Sequence, residues 1–81
     1  MRVRVLVTPK QGVLNPEGRT VQRALRDLGY ADVSDVSTGK VIDLEIATDD
    51  ALHARKLATE MCDKLLANPV IESYELQVEG T

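Results

Sequence analysis

Residues 2–8 read RVRVLVT, and they alternate. Val3, Val5 and Val7 fall on one side of an extended chain; Arg2, Arg4 and Leu6 fall on the other. That period of two is the signature of a half-buried strand. The period then changes. Val21, Ala24, Leu25 and Leu28 recur at helical spacing, in a helix that begins at 16–19 and runs to 28. Gly29 stands where a left-handed cap is expected. DVSDVS (32–37) reads as a short second strand and STGK (37–40) as a turn. KVIDLEIA (40–47) is a third strand, with Ile42, Leu44 and Ile46 toward the core and Val41, Asp43 and Glu45 away from it. TDD (48–50) supplies a helix N-cap and acidic first-turn charge. The helix it opens runs to about Leu66, with Ala54, Leu57, Ala58, Met61 and Leu65 as its apolar stripe, and Asn68-Pro69 ends it. A last strand spans about 70–79, where Tyr74, Leu76 and Val78 alternate with Glu75, Gln77 and Glu79.

The order β-α-β-β-α-β has few solutions. Right-handed crossovers give an α+β, ferredoxin-like sandwich: four antiparallel strands in the order 4-1-3-2, with two helices on one face. The 81 residues, 1–81, make a single domain. On the open face Arg2 and Arg4 meet Asp43 and Glu45 on one side, Glu75 and Gln77 on the other. Opposite-charge cross-strand pairs contribute roughly 0.2–1 kcal/mol each.

Composition narrows the partners. With Tyr30 and Tyr74 as the only aromatic residues, the core is aliphatic. A domain this small buries roughly 60% of its unfolded surface, so self-association is expected to supplement the core. The net charge of −3 argues against a nucleic-acid partner. An RNA-binding sheet of this topology would offer aromatic residues where Arg2, Arg4, Val41, Asp43 and Glu45 stand. Cys62 is the one cysteine, which excludes an internal disulfide and suits a reducing compartment. No apolar run approaches a membrane span and no signal-peptide flank precedes residues 3–7, so a cytoplasmic protein is expected.

No constellation of catalytic residues emerges. His53 stands alone on a helix and lacks a nucleophile or acid partner. Cys62 has no CxxC partner and reads as a packed thiol. Asp49-Asp50 is a cap before it is a cation site. TGKV (38–41) lacks the spacing of a P-loop. Gly12 and Gly18 near Lys10 could present amides to an anion, but no motif supports it.

PKQGVLNPEG (9–18) is the unusual segment, with two prolines and two glycines around an aliphatic pair. Val13 and Leu14 either fold back over the helix ends or reach another subunit.

Three stretches together resemble one family. PKQGVLNPEGRTVQRAL (9–25), LGYADVSDVSTGKVIDL (28–44) and MCDKLLANPVIESYEL (61–76) are similar to the PurS family, the small subunit of phosphoribosylformylglycinamidine synthase. The resemblance covers nearly the whole chain. Where the family's loop often carries Asp before the proline, this chain has Asn15, and both suit a helix start. The resemblance implies the same sandwich, usually dimeric or higher, and a subunit without chemistry of its own. It implies two further partners, a glutaminase that releases ammonia and a large synthetase that makes the amidine of formylglycinamide ribonucleotide. ATP and magnesium are expected on the synthetase, no cofactor or metal on this chain. The small subunit would bridge its partners, with a candidate part in ammonia transfer. The loop Lys10, Gln11, Gly12, Val13, Leu14, Asn15 and Pro16 becomes the candidate contact surface. A metabolite-sensing βαββαβ domain is the alternative reading.

Overall fold

The computed structural model describes residues 1–79. Five elements follow one another: β1 (Arg2–Pro9), α1 (Pro16–Asp27), β2 (Lys40–Glu45), α2 (Ala51–Met61) and β3 (Glu72–Glu79). The strands form one antiparallel sheet in the order β2-β1-β3.

β1 is central because its valines can be covered from both flanks. Val3 lies opposite Leu44 and Val78, Val5 opposite Ile42 and Leu76, and Val7 opposite Tyr74. Directly opposed residues share a face, so this face is aliphatic around Val3 and Val5 and gives way to Tyr74 and Lys40 beside Val7. α2 lies over it, against β1 and β3. Val3, Val5, Val7, Ala54, Ala58 and Cys62 are fully buried. Alanines at 54 and 58 let the helix backbone sit close to the sheet. Asp50 caps α2, accepting from the Leu52 amide at 2.9 Å and the His53 amide at 3.4 Å. The helix ends in a π-helical turn, Cys62–Leu66, closed by the Ala67 amide donating to the Cys62 carbonyl. The Tyr74 hydroxyl donates to Asp63 at 2.9 Å and ties this turn to β3. That bond holds the phenol protonated and pushes its pKa up.

The opposite face carries the charged residues, in the expected register against β2 but two residues off against β3, where Glu75, expected beside the arginines, lies opposite Leu6. Arg4 lies opposite Asp43 and Gln77, Arg2 opposite Glu45 and Glu79. The Arg4 guanidinium donates twice to Asp43, at 2.9 and 3.3 Å, and holds that carboxyl below its usual range. The N-terminal ammonium extends the β1–β2 ladder by donating to the Ile46 carbonyl at 2.6 Å.

Two expectations are corrected. Residues 32–37 form no strand, so the described sheet has three strands and lacks the outermost member of the 4-1-3-2 order. The segment runs beside α1 instead. The Gln22 side chain donates to the Ser34 carbonyl at 2.8 Å and to the Val33 carbonyl at 3.4 Å. Gly18 is buried where a Cβ would stand 2.1 Å from the Val36 carbonyl oxygen. The second correction concerns α1, which among the described residues has no extensive packing on any strand, so that α2 is the helix that covers the sheet. Consequently Val21 and Leu28 are 38% and 74% exposed. Together α1 and residues 33–38 make an arm. The radius of gyration is 16.1 Å and the long axis 48 Å, against about 12 Å for the gyration radius of a compact 81-residue domain.

Candidate functional site

The loop between β1 and α1 is fixed at both ends. At its start the Lys10 amide donates to the Ile71 carbonyl at 2.8 Å, and its ammonium to the Pro69 carbonyl at 2.6 Å. The Val13 amide then donates to the Lys10 carbonyl at 3.1 Å and closes a four-residue turn. Gly12 is the third residue of that turn, with φ at +85°. A turn of this form needs positive φ there, which glycine adopts without strain.

At its end Asn15 is a three-way tie. Its Oδ1 accepts from the Gly18 amide at 2.7 Å and from the Thr38 hydroxyl at 3.1 Å. Its Nδ2 donates to the Thr38 carbonyl at 3.1 Å. Asn15 therefore caps α1 and also holds residue 38 against the helix start. Aspartate would keep the cap but lose the Nδ2 donor. Pro16 follows at the first helical position, where its missing amide costs nothing.

Between the two anchors stand the aliphatic residues, which the structure separates. Val13 is half-buried; Leu14 is 62% exposed. Open clefts of about 500 and 320 Å³ flank the loop. The first is floored by Gly12, Asn15, Arg19 and Val36. The second has Leu14, Pro16, Lys40, Ile71 and Glu72 on its walls, with the Lys40 ammonium 3.8 Å from the Glu72 carboxylate. Gln11 and Lys10 are exposed at the rim. All seven candidate residues thus lie on one edge of the molecule, next to the turn before β3.

That turn supplies what sequence reasoning missed. Residues 70 and 71 were expected within the last strand, which in fact begins at Glu72. Val70 and Ile71 are instead held in a turn, the Val70 amide donating to Asn68 Oδ1 at 3.0 Å and the Glu72 amide to the Asn68 carbonyl at 2.8 Å. They are 76% and 44% exposed, and Ile71 lines the same cleft as Leu14. The available signal was that strict alternation starts only after Ile71.

The remaining candidates do not join the loop. His53 is exposed at the start of α2. Cys62 is fully buried, and burial pushes its thiol pKa up, away from reactivity. Of the three groups suggested for an anion, two are engaged, the Lys10 ammonium on Pro69 and the Gly18 amide on Asn15. The loop presents a hydrogen-bonded edge with Leu14 and Val70 exposed at its tips.

Comparison with known proteins gives a consistent set. Residues 2–80 match the family model for PurS, phosphoribosylformylglycinamidine (FGAM) synthase. The chain is 51% identical to the PurS subunit of that synthase from Methanocaldococcus jannaschii over 75 residues, 93% of this chain and 90% of the relative. The crystal structure of M. jannaschii PurS superposes with a TM-score of 0.86, at 49% identity, covering 99% of this chain and 96% of that one. A chain of the PurLQS structure from Thermotoga maritima superposes with a TM-score of 0.84, at 32% identity, covering 94% and 93%.

Proposed function

Since the chain belongs to the PurS family, we propose that it is the non-catalytic small subunit of an FGAM synthase complex in purine biosynthesis. The complex is an ATP-dependent carbon–nitrogen ligase that takes its nitrogen from glutamine. This chain bridges the glutaminase and the large synthetase subunit and also pairs with itself. ATP and magnesium belong to the synthetase; this chain binds no cofactor or metal of its own. Assembly takes place in the cytoplasm; among the described residues no helix is long and apolar enough to cross a membrane. The metabolite-sensing alternative has no observation in its favour.

One observation carries the placement of the contact surface. Leu14 is 62% exposed at the tip of a loop pinned by backbone hydrogen bonds at Lys10 and by Asn15 at its end. A loop ordered in advance loses little entropy on docking. Ile71 extends the apolar edge beside it. Burying Leu14 at an interface contributes roughly 1.5–3 kcal/mol, about 10- to 100-fold in assembly affinity.

Leu14→Ser tests this, because an exposed side chain can be removed without touching the core. With the two larger subunits, the variant is expected to lose glutamine-dependent amidine formation and keep ammonia-dependent formation, while its own melting temperature stays within a degree or two. Normal assembly and normal glutamine-dependent turnover would remove the loop from the contact surface. Val13→Ser, which alters a half-buried side chain, is expected to lower stability as well.

A further inference from the structure

α1 carries a charged face that the fold does not use. Arg19, Arg23 and Arg26 recur at i, i+4 and i+7. With ~3.6 residues per turn they share one side of the helix, opposite Val21 and Leu28. All three are exposed. Half of the chain's six arginines thus stand within eight residues, in a chain of net charge −3. Among the described residues the ion pairs use Arg4 and Lys40, and none of these three takes part in one. Asp27, one turn beyond Arg23, stays unpaired with it. Like charges one turn apart destabilise a helix, and no ion pair within the chain offsets that repulsion.

The arginines open onto a cleft of about 350 Å³ lined by Arg19, Gln22, Arg23, Arg26 and Asp35. Gln22 is half-buried and donates to the carbonyls of Val33 and Ser34, so the two walls of the cleft are tied to each other. Arg19 and Asp35 also line the cleft beside the loop, together with Gly12, Leu14 and Asn15. One groove therefore runs from the loop tip along α1 to Arg26, aliphatic at Leu14 and cationic from Arg19 onward.

Three features select its occupant. The arginine cleft has no aromatic or aliphatic wall on which a base or a sugar ring could rest. Asp35 stands in it and repels a polyphosphate. The guanidiniums repeat once per helical turn over about 10 Å, the spacing at which a second helix sets carboxylates at i, i+4 and i+7. Each guanidinium can hold one carboxylate through two parallel N–H bonds. We infer that the arginine face of α1 seats an acidic helix of the partner subunit that docks at Leu14. Its carboxylates pair with Arg19, Arg23 and Arg26, and Asp35 fixes the register by rejecting an acid at its own position. Leu14 anchors the contact, while the arginines steer the approach. The inference rests on the reading of this chain as a synthase subunit and adds the chemistry of the surface it meets.

The affinity of the chain for the two larger subunits, measured between about 50 and 500 mM salt, tests it. Arg23→Glu/Arg26→Glu is expected to weaken assembly at low salt at least about tenfold, chiefly through a slower on-rate, and to flatten the salt dependence. Arg23→Gln/Arg26→Gln, which keeps good helix formers, is expected to fall between parent and charge reversal. Both variants should melt as the parent does, because these side chains are exposed and unpaired. Parent-like affinity with a parent-like salt slope overturns the inference. Arg23→Lys keeps the charge and supplies an amine, which a carbodiimide should join to an Asp or Glu on a partner helix. No link from position 23, or links only to acids of this chain, overturns it. So does inorganic tripolyphosphate that binds the pure chain at micromolar concentration and shifts the arginine side-chain NMR signals, since the groove is then a phosphate site. A chain that assembles with neither larger subunit at any salt refutes the functional reading, and this inference with it. Assembly lost in Leu14→Ser but indifferent to the arginines refutes this inference alone.

Discussion

Gly18→Ala sets two effects against each other, and the geometry says which prevails. In an exposed helix interior, alanine is favoured over glycine by about 1 kcal/mol. Here the added Cβ would stand 2.1 Å from the Val36 carbonyl oxygen and 3.0 Å from Asn15 Oδ1. The obstacle is backbone and cannot rotate away; it must retreat by about 1 Å to reach ordinary contact. Moving Val36 pulls on the bonds either side of it, Gln22 to Ser34 and Asn15 to Thr38. Two such bonds at about 1 kcal/mol each, plus roughly 1–3 kcal/mol of overpacking, outweigh the helix gain by at least about 2 kcal/mol. That corresponds to a ~30-fold larger population of arms opened between α1 and residues 33–38. The core of Val3, Val5, Val7, Ala54 and Ala58 is elsewhere, so the global melt should shift far less. Limited proteolysis reads the open population directly when reclosing is fast. Cleavage between residues 28 and 40 should accelerate by an order of magnitude or more. An alanine variant cleaved as slowly as the parent, or more slowly, would show that helix propensity wins and that the Gly18–Val36 approach does not constrain the arm.

Asn15→Ala should lower stability of the arm by about 1–2 kcal/mol, read by the same proteolysis, because one side chain supplies both the α1 cap and the tie to Thr38. Cys62 should alkylate with iodoacetamide far more slowly in the native chain than in urea at pH 8, since it is fully buried. Burial raises the Cys62 pKa above the ordinary 9.0, so its contribution to stability is complete below about pH 9 and is lost as pH rises through the raised folded value; denaturant midpoints between pH 8 and 11 check the sign. Asp43→Asn should lower the melting temperature only slightly, and the loss should shrink in high salt, because the Arg4–Asp43 pair is solvent-exposed.

Much of this protein was determined by its sequence alone. The alternation in 2–8 sets which residues of β1 face α2, and the same alternation in 40–45 and 72–79 puts Arg4, Asp43 and Gln77 on one face, while the exact register is left open to a slip of two. Asn15-Pro16 and Asp50 mark the two helix starts through local hydrogen bonds that need no distant partner. The loop could be singled out because two aliphatics between glycine and proline are anomalous whatever surrounds them. Tertiary structure decided the rest. Periodicity says that the Val21–Leu28 face is apolar, not what covers it. DVSDVS has the pattern of a strand, yet a strand exists only where a neighbouring edge accepts its amides. Here Asn15 captures Thr38, and Gly18 lets the Val36 backbone lie against α1, so residues 33–38 leave with the helix. Likewise Val13 and Leu14 are adjacent in sequence and alike in chemistry, and only the turn at Gly12 turns one inward and the other outward. Hairpin and arm share the same local preferences; contacts between residues distant along the chain separate them.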